Sequence, residues 1–575
     1  MQFEFAVIGG GISGFCAAIA AARHGVKTAL IQDRPVLGGN ASSEIRMHIC
    51  GADRHGSVAE ARETGIVEEL QLKNRARNPQ HSFCVQDAVL WEMAAFQENL
   101  TLFLNTTVTD VRVRDGGIQS VSAYQMTTEK KFEISADYFA DCTGDGTIGF
   151  KAGAEFTVGT EGKDVYHEAD APESGSSCTM GSSVMFVARD MGKPCPFTPP
   201  DWAYRFKEED LRYRGHSYTG SGYWWIEYGG DKLNVIDDAE KIRDELIKIV
   251  FGIWDHIKNT DKAAENYALE WFNFLPGKRE SRRLRGKYVL TEKDVREIKF
   301  HSDDIAYGGW KMDVHVPGGL MTPEREPTTY YETNGIYGIP YRCLYSDKCR
   351  NLWMGGRAIS VSHMAYGSTR VMGTCGVVGQ AIGTAVYVAL KHAADNRGVG
   401  AYMDELQQLL LRDDCYIPRV RNHDAEDLAL SCRVVSENAD AVRITDGYGR
   451  NEADGVHKCE LSMGETVEFR LPEKRNIGEM IIKFDSDLSH ELTITISEYV
   501  RSKQQDFPPA LAKDFEVTGY LNGKEVYRHK TEGNILRLCR LYPNTEADAI
   551  RISVTATYGA PKAGLYEVRF YEKKD

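Results

Sequence analysis

The sequence predicts an α/β chain with an inserted α+β lobe and a C-terminal antiparallel β-sandwich. Three observations carry this. FEFAVI at 3–8 is an apolar run ending in glycines; an alanine-rich helical stretch from Ile12 to His24 and a second apolar run at 26–31 complete a β-α-β order. The β/α pattern returns at 351–393, after a long stretch of different character. Beyond about 430 helical periodicity vanishes, and ETVEFRL (465–471), ELTITIS (491–497), AIRISVTATY (549–558) and YEVRFYE (566–572) alternate with period two, as half-buried antiparallel strands do.

Between these landmarks the elements follow in order. A Gly/Asn/Ser-rich loop at 38–43 precedes helical periodicity around 58–77 and 85–98. Alternating segments at 100–104, 107–113, 117–125 and 130–135 read as a strand and a β-meander, and DYFADC at 137–142 returns to the sheet. In the inserted lobe, strands are expected near 180–189 and 223–228 and an amphipathic helix near 237–258, with the Arg-rich GKRESRRLRG at 277–286. A helix at 400–412 leads into a polar connector. The expected partition is 1–154 and 346–415 for the two parts of a Rossmann-like domain, 155–345 for a substrate lobe, 416–430 for a linker and 431–575 for the sandwich.

Composition excludes several classes. With 575 residues, 42% apolar, 26% charged and 10% aromatic, the chain is neither disordered nor fibrous, and it is too long for a single small module. A net charge of −14 repels nucleic acid and anionic lipid, so neither is expected as a partner. Thirteen scattered cysteines without a Cys-x-x-Cys pair or a Cys/His cluster at zinc spacing offer no metal site. The start MQFEFAVIGGG lacks the basic and apolar regions of a secretory signal, so a cytoplasmic protein is expected, or a periplasmic one were the chain already processed. Val371 to Leu390 holds no charge, but Gly373, Gly376, Gly379 and Gly383 make it a buried helix rather than a membrane span.

Gly9-Gly10-Gly11-Ile12-Ser13-Gly14 matches G-x-G-x-x-G between the first strand and the first helix. There a tight turn, close approach of a pyrophosphate and helix–strand packing each require glycine, which points to dinucleotide binding. The ribose-binding acid expected at the end of the second strand is replaced by Gln32, whose carbonyl can still accept a hydrogen bond, with Asp33 beside it.

The set formed by this motif, Leu37-Gly38-Gly39-Asn40-Ala41-Ser42, Thr143-Gly144-Asp145-Gly146 and Gly355-Gly356-Arg357 resembles the two-dinucleotide-binding-domain flavoproteins of the glutathione reductase and fumarate reductase style. RPVLGGNASSE, PGKRESRRLRG, YGGWKMDVHVPGG, YGIPYR and MGGRAISVSHMAYGSTRVMGTCG are similar to the broad family of FAD-dependent oxidoreductases, over roughly residues 3–395. The resemblance implies FAD, held by Gly9, Gly11, Ser13, Gly14, Gln32, Asp33, Arg34, Gly38, Gly39, Asn40, Ser42, Val108, Thr143, Gly144, Asp145, Gly356, Arg357, Gly373 and Thr374. It implies that the helix beginning near Thr374 aims its positive end at the flavin ring.

Tyr366-Gly367-Ser368-Thr369-Arg370 is similar to the His-Gly-Ala-Asn-Arg segment of succinate dehydrogenase and fumarate reductase flavoproteins, where histidine and arginine hold a substrate carboxylate. Arg370 keeps its place, Tyr366 replaces the histidine, and His363 lies three residues earlier. These three are the leading catalytic candidates. His48, Arg282 with Arg279, Arg283 and Glu280 as an anion clamp, His315, and the thiols of Cys50 and Cys375 follow. The C-terminal strand pattern, with Ile444-Thr445-Asp446-Gly447, resembles galactose-binding-like modules, in which Tyr448, Arg450 and His457 are candidates for sugar contact.

The expected activity is hydride transfer between flavin N5 and a small organic substrate, a carbohydrate or a hydroxy or carboxylate compound, with an unidentified electron acceptor. Two alternatives stand beside it: a lyase-like carbohydrate-active enzyme without net flavin redox chemistry, and a flavin-bearing glycan-binding scaffold.

Overall fold

In the computed structural model, which describes residues 1–52, 58–217, 220–453, 455–502 and 507–574, strand β1 (Gln2–Ile8) leads through the glycine turn into helix α1 (Ile12–Arg23). Strand β2 (Thr28–Ile31) then pairs in parallel with β1, Ile31 opposite Ile8. Strand β3 (Leu100–Phe103) extends the sheet beside β2. The meander consists of β4 (Thr106–Arg114), β5 (Gly117–Gln125) and β6 (Lys130–Asp141).

Strand β6 serves two pairings in sequence. Its first half runs antiparallel to β5, while its second half runs parallel to β1 and to the late strand β7 (Leu352–Met354). Asp141 and Met354 therefore end side by side with Ile8, so residues from three distant parts of the chain meet at one sheet edge.

Helix α2 (Met372–Lys391) is the one helix among the described residues long and apolar enough to cross a membrane, and 89% of its apolar window is buried within the protein. Its glycines explain its composition. A Cβ on Gly379 would sit 2.0 Å from the Ser13 carbonyl oxygen and one on Gly383 2.2 Å from that of Ala17, so α2 crosses α1 at backbone contact.

The chain divides into two compact units. The first comprises Met1–His55, Gln80–Tyr402 and Thr493–Gln504. Besides the sheet it contains a lobe of short antiparallel pairs, Phe186–Asp190 with Tyr267–Phe272 and Met312–His315 with Thr328–Tyr331. Helix Ala239–Asp255 buries Ile242, Leu246, Ile249 and Ile253 against Phe186 and Trp225 in that lobe.

The second unit comprises Gly56–Pro79, Met403–Leu492 and Gln505–Asp575. Its strands are β8 (Arg433–Val435), β9 (Cys459–Ser462), β10 (Thr466–Phe484), β11 (Ala512–Leu521), β12 (Lys524–Thr531), β13 (Leu538–Leu541), β14 (Thr545–Thr557) and β15 (Lys562–Glu572). Strand β10 belongs to both layers of the sandwich. Its first part, Thr466–Arg470, pairs with β8 and β14, and β14 continues to β11 and β12; its last part pairs with β13 and β15, and β15 continues to β9. Phe469, Ile482, Phe515, Ile552 and Phe570 fill the core between the layers.

Three local expectations need correction. ELTITIS is not a strand, and from Thr493 onward the chain belongs to the first unit, where Thr493 Oγ1 accepts the Ile49 N–H at 3.0 Å. The helix expected over 58–77 forms only over Ile66–Arg77. Residues 416–430 are no open linker, since Ile417, Asn422, Asp427 and Ala429 are buried.

Candidate functional site

The turn after β1 borders a cavity of about 290 Å³. Its three motif glycines differ in what they permit. Gly9 has φ +98°, and a Cβ there would lie 2.2 Å from the Cys142 carbonyl oxygen; a Cβ on Gly14 would lie 1.9 Å from that of Gly9. Both are demands of packing. Gly11, the N-cap of α1 with φ −64°, is different: a Cβ there would have Gly39 Cα at 3.9 Å as its nearest neighbour and would fill the cavity edge instead. No side chain caps α1 and no acid stands in its first turn, so its N–H groups and positive end remain available to an anion.

Gly9, Gly11, Ser13, Gln32, Asp33, Arg34, Gly38, Gly39 and Asn40 line this cavity, with Val108, Thr143, Gly144, Asp145, Gly356 and Arg357 from later in the chain. Gln32, 2% exposed, already uses its amide internally: Oε1 accepts the Gly10 N–H at 2.7 Å and Nε2 donates to the Val36 carbonyl at 3.2 Å. It braces the turn. The neighbouring Asp33 carboxylate is 61% exposed and is the acid available at this end of the cavity.

The Thr143–Asp145 loop is shaped by Asp141, which sequence inspection passed over. Fully buried at the end of β6, it accepts the Thr143 hydroxyl at 2.7 Å and the N–H groups of Ile148 and Gly149, each at 2.8 Å. Burial raises its pKa. Asp145 faces Lys278 at 2.6 Å and Arg357 at 3.8 Å, and Arg357 also donates to the Lys278 carbonyl, as does Asn40 at 3.1 Å. Burial works against ionisation of Asp145, but the Lys278 and Arg357 charges prevail and its pKa is lowered.

The first turn of α2 meets the cavity through Met372 and Cys375, not through Gly373 and Thr374. Residues three apart share a helix face, and the Gly373 N–H is taken by the Cys50 carbonyl at 2.7 Å. Gly14 and Ser42 likewise lie behind the lining.

Of the catalytic candidates, Arg370 and Cys375 reach the cavity and the others do not. Arg370 Nη2 donates to the Asp313 carboxylate at 2.9 Å and to the Asp313 carbonyl at 3.1 Å, while its buried Nε has no hydrogen-bond partner among the described residues. Behind it runs a chain of buried groups. His315 lies between Asp313 (3.3 Å, at Nε2) and Glu227 (2.8 Å, at Nδ1), and Arg279 donates to His315 Nε2 at 3.2 Å. Against the effect of burial, His315 and Arg370 hold Asp313 well below the usual carboxylate range, and Arg279 and His315 lower the pKa of Glu227.

His363 and Tyr366 require correction. His363 is 4% exposed with Nδ1 on Glu280 at 3.0 Å; Tyr366 is fully buried and donates its hydroxyl to the Arg279 carbonyl at 2.6 Å. Arg282 stacks on Phe150, 4.0 Å from the ring centroid. Arg283 is bound to Glu280, Glu161 and the Gly159 carbonyl rather than to open space. His48 is half-buried beside Thr495 at 3.4 Å, outside the cavity lining.

In the second unit, Arg450 is 2% exposed and its guanidinium is used on the Glu60 carbonyl at 2.7 Å and over the Tyr416 ring. It is a structural arginine. His457 pairs with Asp446 at 2.8 Å and packs against the Tyr448 ring, centroids 4.1 Å apart.

A family model described as FAD dependent oxidoreductase matches residues 4–410. Comparison with curated proteins returns no match. Among solved structures, the chain is similar to a Streptococcus pneumoniae fucose binding module, at 14% identity over 26% of this chain and 98% of that chain, TM-score 0.20. It is also similar to the family 32 carbohydrate-binding module from Streptococcus pneumoniae EndoD (18% identity, 26% and 99% covered, TM-score 0.20). A third is the family 32 module from C. perfringens NanJ in complex with galactose (16%, 26% and 98%, TM-score 0.18).

Proposed function

The chain belongs to the FAD-dependent oxidoreductase family, and from that premise we propose that it transfers a hydride between a small oxygenated substrate and FAD held in the cavity of the first unit. The cavity suits that cofactor because Gly11 leaves room where a side chain would otherwise project, beside the uncapped end of α1. In this proposal Gly11 and the first turn of α1 hold the pyrophosphate, and Asp33, in place of Gln32, meets the ribose hydroxyls. Met372 and Cys375 bring the positive end of α2 to the ring. Bound FAD supplies the hydride acceptor at N5.

The protein's own part on the substrate side falls to Arg370. The observation that supports this is its position on the cavity wall with Asp313 fixing Nη2 and so orienting the guanidinium. Such a fork binds a hydroxyl, carbonyl or carboxylate oxygen and polarises it. His315, buried between Asp313 and Glu227, is proposed to hold Asp313 and through it Arg370 in place, instead of the roles expected for His363 and Tyr366. The lobe at 155–345 thus acts on the cavity through Lys278 and Asp313, and hydroxy acids, other hydroxy compounds and sugars are the substrate classes proposed.

Anaerobic mixing of the holoprotein with a panel of these compounds tests the proposal. Rapid loss of the oxidised flavin spectrum with one class supports it. Turnover of a compound without bleaching, or binding with neither, defeats hydride transfer and favours a lyase-like or a binding role respectively.

A further inference from the structure

We propose that Glu208, His216, His256 and Asp261, in the lobe of the first unit, form a closed structural site for one divalent transition-metal ion of the zinc class. The sequence suggests nothing of the kind. Each residue contributes one ligand atom, and the four atoms lie within 4.8 Å of one another.

Each histidine lies close to a tetrahedral edge length from both carboxylates, with one Asp261 oxygen turned toward each ring. Ligand atoms at ~2.0–2.2 Å from a tetrahedral ion lie about 3.4 Å from each other. His256 Nε2 is 3.2 Å from Glu208 Oε2 and 3.3 Å from Asp261 Oδ1; His216 Nε2 is 3.7 Å from Glu208 Oε2 and 3.3 Å from Asp261 Oδ2.

Ring orientation points the same way. His216 Nδ1 lies 2.7 Å from the Arg214 carbonyl and His256 Nδ1 3.0 Å from the Phe206 carbonyl. Each Nδ1–H donates to backbone, which leaves an Nε2 lone pair toward the cluster, the arrangement that metal-bound histidines adopt. The two rings meet edge to face, centroids 5.2 Å apart at 85°.

The backbone also explains how Asp261 arrives. Helix Ala239–Asp255 ends in a π turn, His256–Thr260, in which the Asp261 N–H donates to the His256 carbonyl at 3.0 Å. In an ordinary α-helix a residue five positions on lies well around the cylinder; the wider turn sets it beside its partner, and such turns cluster at functional sites. Two carboxylates and two neutral imidazoles balance a dication, and four protein ligands leave no open position, as in structural rather than catalytic zinc sites.

The untagged full chain, grown with added zinc and desalted, is assayed for metal and for flavin. One zinc per chain is expected, with FAD content unchanged on its removal by chelator and a melting temperature lower by several degrees in the stripped protein. Cobalt added to the stripped protein should give the intense visible bands of a tetrahedral centre, a readout that needs no variant. His216→Ala and Asp261→Asn should lower zinc affinity at least ~10-fold while the flavin spectrum reports a folded first unit. Background zinc in the full chain with no effect of added zinc on melting overturns the proposal in favour of protonated histidines in an ion-pair cluster. Full zinc retention by both variants overturns it as well.

Discussion

The cavity rim of the first unit and the interior of the second are built from the same residue types, yet only one of them encloses a usable space. In the first unit Asp145, Arg357 and Arg370 stand around about 290 Å³, with Lys278 paired to Asp145. In the second, Lys483, Glu567, Arg569, Arg537 and Asp414 converge with contacts of 2.5 Å (Lys483–Glu567), 2.9 Å (Arg569–Glu567) and 3.0 Å (Arg537–Asp414), around a void of about 10 Å³. That void is at the lower limit for a single water. Buried charge alone is therefore no mark of a site; what matters is whether charges answer one another or face space.

The contrast can be broken most sharply at Gly11. Gly11→Val should abolish FAD retention and leave the protein folded, because its Cβ meets open cavity, whereas Gly14→Ala should unfold the first unit against the Gly9 carbonyl. Flavin absorbance beside melting curves of the two variants separates these outcomes; normal FAD content in Gly11→Val would misplace the pyrophosphate. Next in size, Glu567→Gln strands Lys483 and Arg569 in the sandwich and should destabilise it by about 3–5 kcal/mol without altering flavin content. The tryptophans at 91, 202, 224, 225, 254, 271, 310 and 353 all lie in the first unit, so their fluorescence follows that unit, and a loss of circular dichroism in urea that fluorescence does not share reports the other. A loss under about 1 kcal/mol would mean the sealed cluster is no more than a surface pair.

Arg370→Lys tests the cavity side of the comparison. It should slow flavin reduction on the order of 10²-fold, with FAD content retained, because an ammonium cannot bind Asp313 and a substrate oxygen in one fork. An unchanged reductive rate with a lowered melting temperature would make Arg370 purely structural. The most gradual effect concerns pH. Burial pushes Asp427 up to about 6, despite N–H donors from Ala429 and Phe570 at 3.0 Å each. Its folded-state pKa exceeds the unfolded one near 3.9, so this contribution to stability is present in full below pH ~4 and is lost as pH rises to about 6. Asp427→Asn should flatten the decline in the sandwich's stability across that window, an effect of up to about 3 kcal/mol; an undiminished slope would assign it elsewhere.

The cofactor side was legible because its signals are local: a strand end, three glycines and a helix start occupy consecutive residues. The substrate side was not. His363 and Tyr366 sit within a few residues of Arg370, but the short helix turns them toward Glu280 and the Arg279 carbonyl, while His315 and Asp313 arrive from a hairpin some fifty residues away in sequence. ELTITIS alternates like a strand, yet the Thr493 hydroxyl donates to the Ile494 carbonyl and Arg501 to the Thr495 carbonyl, so side chains occupy backbone acceptors that a sheet ladder would have used. Gln32 marked the right loop and the wrong atom, since its carbonyl is spent on Gly10.

The backbone contact between α1 and α2 also has a meaning for the protein's birth. The Ser13 and Ala17 carbonyls wait for Gly379 and Gly383, residues made some 370 positions later. At synthesis rates of about 5–20 residues per second, the glycine turn exists for roughly 20–75 seconds on the ribosome before its covering helix can close over it. During that interval β1, β2 and α1 present alanine and isoleucine faces to solvent with nothing to clasp, and the wall that α2 contributes to the cofactor cavity is complete only once Lys391 has been made.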